Sequence, residues 1–239
     1  MTADSKGGNT LTNSGVAEDL VNFKEGACSG AFVQATNDNM TIADADLDSG
    51  FPLKNGEANL TFSIALWFKL SSINIYHFLI NKGVSTPNRC VNIYVDNTNK
   101  LRFAISDNGS TSTYYIHASA LQSGRWYHLG ITRDGVNPYP YRIRIWDDTA
   151  GAILGVDKTG NSIIPFINNV DLYLGYTANS LNGNEDEVLI FNDVLSIAEI
   201  DAIRQGTYGG GAPAAVHKFG SLNRDYYGQR QKTGLYAEI

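Results

Sequence analysis

Three consecutive carboxylates, Glu185-Asp186-Glu187, form the densest group of catalytic-type side chains in this 239-residue sequence. Cleaving a glycosidic bond needs two carboxyl groups facing one cleft, one as acid and one as nucleophile or base. Same-face residues on a strand stand two apart, so Asp186 points opposite to Glu185 and Glu187. The histidines add no catalytic context. His77 and His117 have no neighbouring Ser and Asp, His128 sits in a strand-like run where a packed role fits, and no nucleophile elbow is visible. Asp44, Asp46 and Asp48 alternate as metal ligands do, but the Gly and distant Glu of a helix–loop–helix calcium loop are missing, so they read as a solvated loop. Cys28 and Cys90 fit no zinc or redox spacing; they are either two buried thiols or one disulfide. The expectation is a protein that is not an enzyme.

Two places carry residues suited to recognition. Sugars stack their apolar faces on aromatic rings and exchange hydrogen bonds with Asn, Asp and Arg. Arg142, Arg144 and Trp146 alternate on one strand face, and a paired arginine face suits an acidic sugar. Tyr139 and Tyr141 flank prolines in the preceding loop. The competing reading of the Arg142 face is a sheet surface covered by a neighbour or by cross-strand packing.

Short strands must position these groups. From Leu60 to Lys69 the chain alternates, with Leu60, Phe62, Ile64, Leu66 and Phe68 on one face. Further strands are predicted at 31–33, 39–42, 76–81, 90–95, 101–105, 113–117, 126–133, 141–146, 170–175 and 187–191, with turns such as Asp96-Asn97-Thr98-Asn99 between them. Such spacing without intervening helices indicates two packed antiparallel sheets. One helix is predicted over 195–206, with Ser196 as N-cap, Glu199 completing a capping box and Gly206 as the stop.

A net charge of −6 argues against nucleic-acid binding, which needs a basic surface. No run is long and apolar enough for membrane insertion, and the polar opening from Met1 to Lys6 has no apolar stretch behind it, so no cleavable signal peptide is expected. Gly209-Gly210-Gly211-Ala212-Pro213 then reads as a joint, dividing a domain at 1–208 from a segment at 209–239. That segment is basic and aromatic. Phe219, Arg224, Tyr226, Tyr227, Arg230 and Tyr236 suit an interface arm that docks on a neighbouring copy; simple disorder is the alternative.

The order of several segments resembles the laminin-G-like jelly-roll domains of the concanavalin A-like lectin/glucanase superfamily. The matching stretches are 60–69, Leu79-Ile80-Asn81-Lys82-Gly83, 124–135, Leu172-Tyr173-Leu174-Gly175, and 182–196 with its helix, so that the likeness covers roughly 20–208. It implies an all-β, two-sheet antiparallel jelly-roll β-sandwich with one short C-terminal helix and an extended tail. The opening departs from the pattern, since relatives begin with a hydrophobic strand that Asp4-Ser5-Lys6-Gly7-Gly8 does not supply. Glucanase relatives place Glu, Asp and Glu at alternate positions, which the consecutive 185–187 run does not do. Many relatives hold Ca²⁺ through oxygen ligands, and the resemblance points to Asp186 with Asp4 and Asn9 for that role. Three settings are then expected: a non-catalytic phage virion protein on a capsid or tail that contacts its own copies, virion proteins or glycans; a carbohydrate-binding or adhesion module at an extracellular surface; and, last, a glycan-cleaving enzyme.

Overall fold

The computed structural model describes residues 9–58 and 60–208, together with the backbone of Val216–Phe219. Its strands, in chain order, are β1 (Thr12–Ser14), β2 (Ala17–Asp19), β3 (Ser29–Phe32), β4 (Asn39–Ile42), β5 (Phe62–Leu70), β6 (His77–Lys82), β7 (Val91–Val95) and β8 (Lys100–Ile105). They continue as β9 (Thr113–Ala120), β10 (Trp126–Arg133), β11 (Pro140–Asp147), β12 (Ala152–Ile153), β13 (Lys158–Asn161), β14 (Leu172–Gly175), β15 (Gly183–Phe191) and β16 (Val216–Phe219); the helix α1 (Ile197–Arg204) precedes β16. One sheet runs β1-β4-β14-β6-β7-β8-β9, and the other β12-β11-β10-β5-β15-β3-β2, with β13 on β11 and β16 on β15. The named ladders are antiparallel, and the two sheets close as the expected sandwich.

The core lies between the sheets. Phe62, Ile64, Leu66 and Phe68 of β5 are fully or almost fully buried there with Ile131, Ile143, Ile80, Ile93 and Phe103. Burying such side chains removes each from water at roughly 1.5–3 kcal/mol apiece. A second, smaller cluster sits on the opposite face of the larger sheet, where Ala65, Leu189 and Phe191 pack against Leu195, Ile200 and Ile203 around α1. Gly130 makes room for that helix, because a Cβ there would stand 2.6 Å from Ile200 Cγ2. Strand β5 is therefore buried on both faces, whereas alternation alone predicts one solvated face. The helix begins as predicted: Ser196 Oγ accepts from the Glu199 N–H at 3.2 Å and Glu199 Oε2 accepts from the Ser196 N–H at 2.8 Å.

Three expectations change. Asp44 is buried, not solvated, and pairs with the buried Lys82 at 2.6 Å. Strict alternation at Glu185-Asp186-Glu187 is broken by a register shift between Asp186 and Leu189, with Glu187 in the left-handed region at φ 50°. Short strands at Lys158–Asn161 and Val216–Phe219 also occur where none is predicted. Cys28 and Cys90 are buried free thiols. No helix among the described residues is long and apolar enough to cross a membrane.

Candidate functional site

The sequence-predicted recognition residues do not share one surface. Tyr141 is buried in the core, its ring 4.4 Å from that of Tyr115. Tyr139 stands in the loop before β11 at φ 59°, with the Arg133 guanidinium 5.3 Å from its ring. Arg142, Arg144 and Trp146 lie on the outer face of the larger sheet, the face turned away from the core, but all three are engaged. Asp157 binds Arg142 at 2.7 Å and Arg144 at 3.2 Å, Asp201 of α1 binds Arg144 at 3.0 Å, and the Arg204 guanidinium lies 3.8 Å over Trp146. The charge that would suit an acidic sugar is neutralised within the chain.

Asp186 is 1 % exposed and accepts from the N–H groups of Lys24 at 2.7 Å, Glu25 at 3.0 Å and Glu187 at 3.0 Å. Oxygens already facing N–H donors are poorly disposed toward a cation. Asn9 is tied to Asp48, whose carboxylate accepts from its amide at 2.7 Å. Asp4 lies outside the described residues. Among the described residues no group of three His, Cys, Asp or Glu side chains is placed to hold a metal ion. Of the arm, Phe219 contributes backbone to β16, opposite Val188; Arg224, Tyr226, Tyr227, Arg230 and Tyr236 lie outside the described residues.

The outer face of the smaller sheet is organised differently. Cross-strand pairing aligns Tyr173, Asn81 and Asn92 in one row, and Phe78, Tyr94 and Arg102 in the next. The rings form a connected series: Tyr76 to Tyr94 is 6.1 Å, Tyr94 to Phe78 is 4.9 Å and stacked, Phe78 to Tyr176 is 5.8 Å, and Tyr176 to Tyr173 is 5.5 Å. Tyr76 is 41 % exposed, and Phe78, Tyr173 and Tyr176 are half-buried. Burial pushes the Tyr94 hydroxyl up to about 12, partly offset by Arg102, so the phenol stays protonated. Arg102 donates from Nε to the buried Asp96 at 2.5 Å and lies 5.5 Å from the Tyr114 ring. Asn81 is fully buried, and among the described residues neither of its amide atoms has a hydrogen-bond partner, nor does the Oδ1 of neighbouring Asn92.

Beside this series, where Gln34 bonds to Tyr76, lies a depression of about 480 Å³. Its walls are Gln34, Asn37, Asn179 and Asn182 with Val33, Ala35 and Ala178. Two turns build it. In the first, Asp38 accepts from the Val33 N–H at 2.9 Å and the Thr36 hydroxyl at 2.7 Å, and Asn37 takes the left-handed conformation at φ 58°. In the second, Asn179 does the same at φ 61°; asparagine tolerates this conformation better than most residues. Gln34 Nε2 joins both turns to the aromatic row, donating to Tyr76 O at 2.6 Å and Ser180 O at 2.7 Å. Asn182 is held by the Ser72 hydroxyl at 2.9 Å and by His77, whose Nδ1 accepts from the Asn182 N–H at 3.2 Å. Asn37 and Asn179 are exposed, and their side chains make no hydrogen bond among the described residues. The depression is thus pre-formed, with amide donors and acceptors beside stacked rings.

The laminin-G sequence model of the concanavalin A-like lectin/glucanases superfamily matches residues 34–201. The chain belongs to this superfamily. No curated protein matches it in sequence. Among solved structures it is similar to full-length tailspike protein 2 of Escherichia coli O157:H7 bacteriophage CAB120, at TM-score 0.54 and 13% identity over 89% of this chain and 29% of the tailspike. It is also similar to the binding domain of botulinum neurotoxin DC in complex with SialylT, at TM-score 0.54 and 13% identity over 84% of this chain and 47% of that one. This superfamily member therefore spans less than half of either chain, and at these identities the likeness establishes the fold.

The aromatic row escapes sequence reading for a geometric reason. A bulge between Phe78 and Ile80 resets the alternation of β6, so Phe78 and Asn81, three residues apart, share a face. Alternation places them on opposite faces. The available signal was the density of tyrosines at 76, 94, 114, 173 and 176 beside turn asparagines.

Proposed function

We propose that this chain is a non-catalytic glycan-recognition module, with the depression at Gln34, Asn37, Asn179 and Asn182 as its binding end and the Tyr76–Tyr173 row as its platform. One observation carries the reading: a connected series of rings lies on a sheet face turned away from the core, joined through Gln34 to an amide-lined depression beside it. Sugar C–H faces stack on aromatic rings, and sugar hydroxyls pair with carboxamides. The non-catalytic part is supported by Glu185, which lies buried on the core-facing side opposite Phe68, without a hydrogen-bond partner among the described residues and away from the depression. The setting we propose is the surface of an assembled particle, a phage capsid or tail, with copies of the chain or other virion proteins as partners.

The test is a glycan array followed by calorimetry on the hits, repeated with Tyr76→Ala and Phe78→Ala. Binding that both variants weaken while their circular dichroism is unchanged supports the reading. Binding that neither affects refutes the assignment of the site, and oligosaccharide hydrolysis that Glu185→Gln abolishes refutes the non-catalytic part. Immunogold labelling of purified particles tests the setting. Melting with calcium and with chelator tests the cation, an upward shift with calcium assigning one to the chain.

A further inference from the structure

We infer that this site selects uncharged oligosaccharides, meaning pyranose units without carboxylate, sulfate or phosphate; the inference rests on the glycan-recognition reading above. Every described residue lining the depression is neutral. An anionic sugar group leaving water needs a cation or converging N–H donors to offset its desolvation, and the walls supply carboxamides instead. A carboxamide presents donor and acceptor side by side, which matches a hydroxyl that also does both.

The nearby cations do not change this. On the outer face of the smaller sheet, Arg102 is paired to the buried Asp96 at 2.5 Å. Lys100 stands on the same strand, β8, which β7 separates from the β6 wall of the row. Two strand spacings place it roughly 10 Å from that wall. Lys82 belongs to β6 but is fully buried and bound to Asp44 at 2.6 Å. The net charge of −6 further opposes anionic ligands at long range.

The length of the row favours an oligosaccharide over a single sugar. Four ring-to-ring steps of 6.1, 4.9, 5.8 and 5.5 Å extend from Tyr76 through Tyr94, Phe78 and Tyr176 to Tyr173.

The experiment is calorimetry of the whole chain with neutral hexose and N-acetylhexosamine oligomers and with their sialylated and uronate-bearing counterparts, at low and high sodium chloride. The expected result is binding of neutral oligomers with a Kd that moves by less than about twofold with salt. Tyr76→Ala and Asn179→Ala should each weaken it by about tenfold or more. Arg142→Gln, on the opposite sheet, should leave it unchanged. Binding confined to acidic oligomers and weakened by salt overturns the neutral selection while leaving glycan recognition standing. Loss of binding in Arg142→Gln with retained circular dichroism moves the site to the other sheet and overturns the inference. Binding to no oligomer in either class overturns both.

Discussion

The two sheets of this sandwich turn opposite kinds of outer face to their surroundings. On the nine-stranded sheet the outer face is roofed by α1, and its charged groups are paired within the chain. Asp157 and Asp201 hold Arg142 and Arg144, Arg204 covers Trp146, and Lys24 lies 4.7 Å over the Trp67 ring. On the seven-stranded sheet no helix covers the rings among the described residues, and they pack mainly on one another beside amides without partners. Both faces carry aromatic and polar residues at alternate positions. What separates them is cover: one face has its charges paired and its apolar groups roofed, and the other is the one we propose to bind.

The comparison breaks most readily at the roof. Ile200→Ala empties the centre of the smaller cluster and should cost about 2–5 kcal/mol, measured as a lower urea midpoint. A loss under about 1 kcal/mol would mean that α1 is not a stabilising cover. Gly130→Ala attacks the same contact from the sheet side, where the new methyl would stand 2.6 Å from Ile200 Cγ2, and should cost about 1–3 kcal/mol. Because the two positions touch, their double variant should lose less than the two single losses combined, as a double-mutant cycle reads directly.

The titration of the covered face sharpens the contrast. Burial outweighs the three N–H donors at Asp186 and pushes its carboxyl from 3.8 up to about 7. Between those values the native state holds a proton that the unfolded chain has released. This contribution is therefore fully present below about pH 4 and is lost as pH rises toward 7. His128 on the same face runs the other way: burial, aided by Arg204 and Arg144, lowers it from 6.5 to about 3, so its contribution is lost as pH falls. The two effects oppose each other in the wild type, and a difference measurement separates them. The unfolding free energy of wild type minus that of Asp186→Asn should fall with rising pH, by up to about 1.4 kcal/mol per unit across this window. A difference that rises with pH would mean that the donors hold the carboxylate ionised.

The sequence pattern already contains the sandwich, because alternation in β5, the turn at Asp96–Asn99 and the Ser196 capping box are local features that the fold preserves. The site is harder to read because it depends on register. Tyr76, Tyr94 and Tyr173 meet only once β6, β7 and β14 are paired, and the bulge after Phe78 inverts the expected phase of Asn81. The Arg142–Trp146 stripe misleads for the complementary reason. Its alternation is real, but nothing in the sequence shows that Asp157 and the helix will close over it.

The smallest expected effect tests the contrast from the open side. Tyr76 is 41 % exposed, its ring contact is with Tyr94 at 6.1 Å, and it lies just before β6, outside the core cluster. Removing it opens no cavity and leaves no buried polar atom stranded, and surface changes of this kind usually fall within about 0.5 kcal/mol. Gln34 bonds to its backbone oxygen, which Tyr76→Ala retains. The variant should therefore melt as wild type does while losing glycan binding. An Ile200→Ala protein that still folds should show the reverse, reduced stability with binding intact. A Tyr76→Ala chain that loses several kcal/mol would place the ring among the supports of the sandwich, and the open face would then be a second roof.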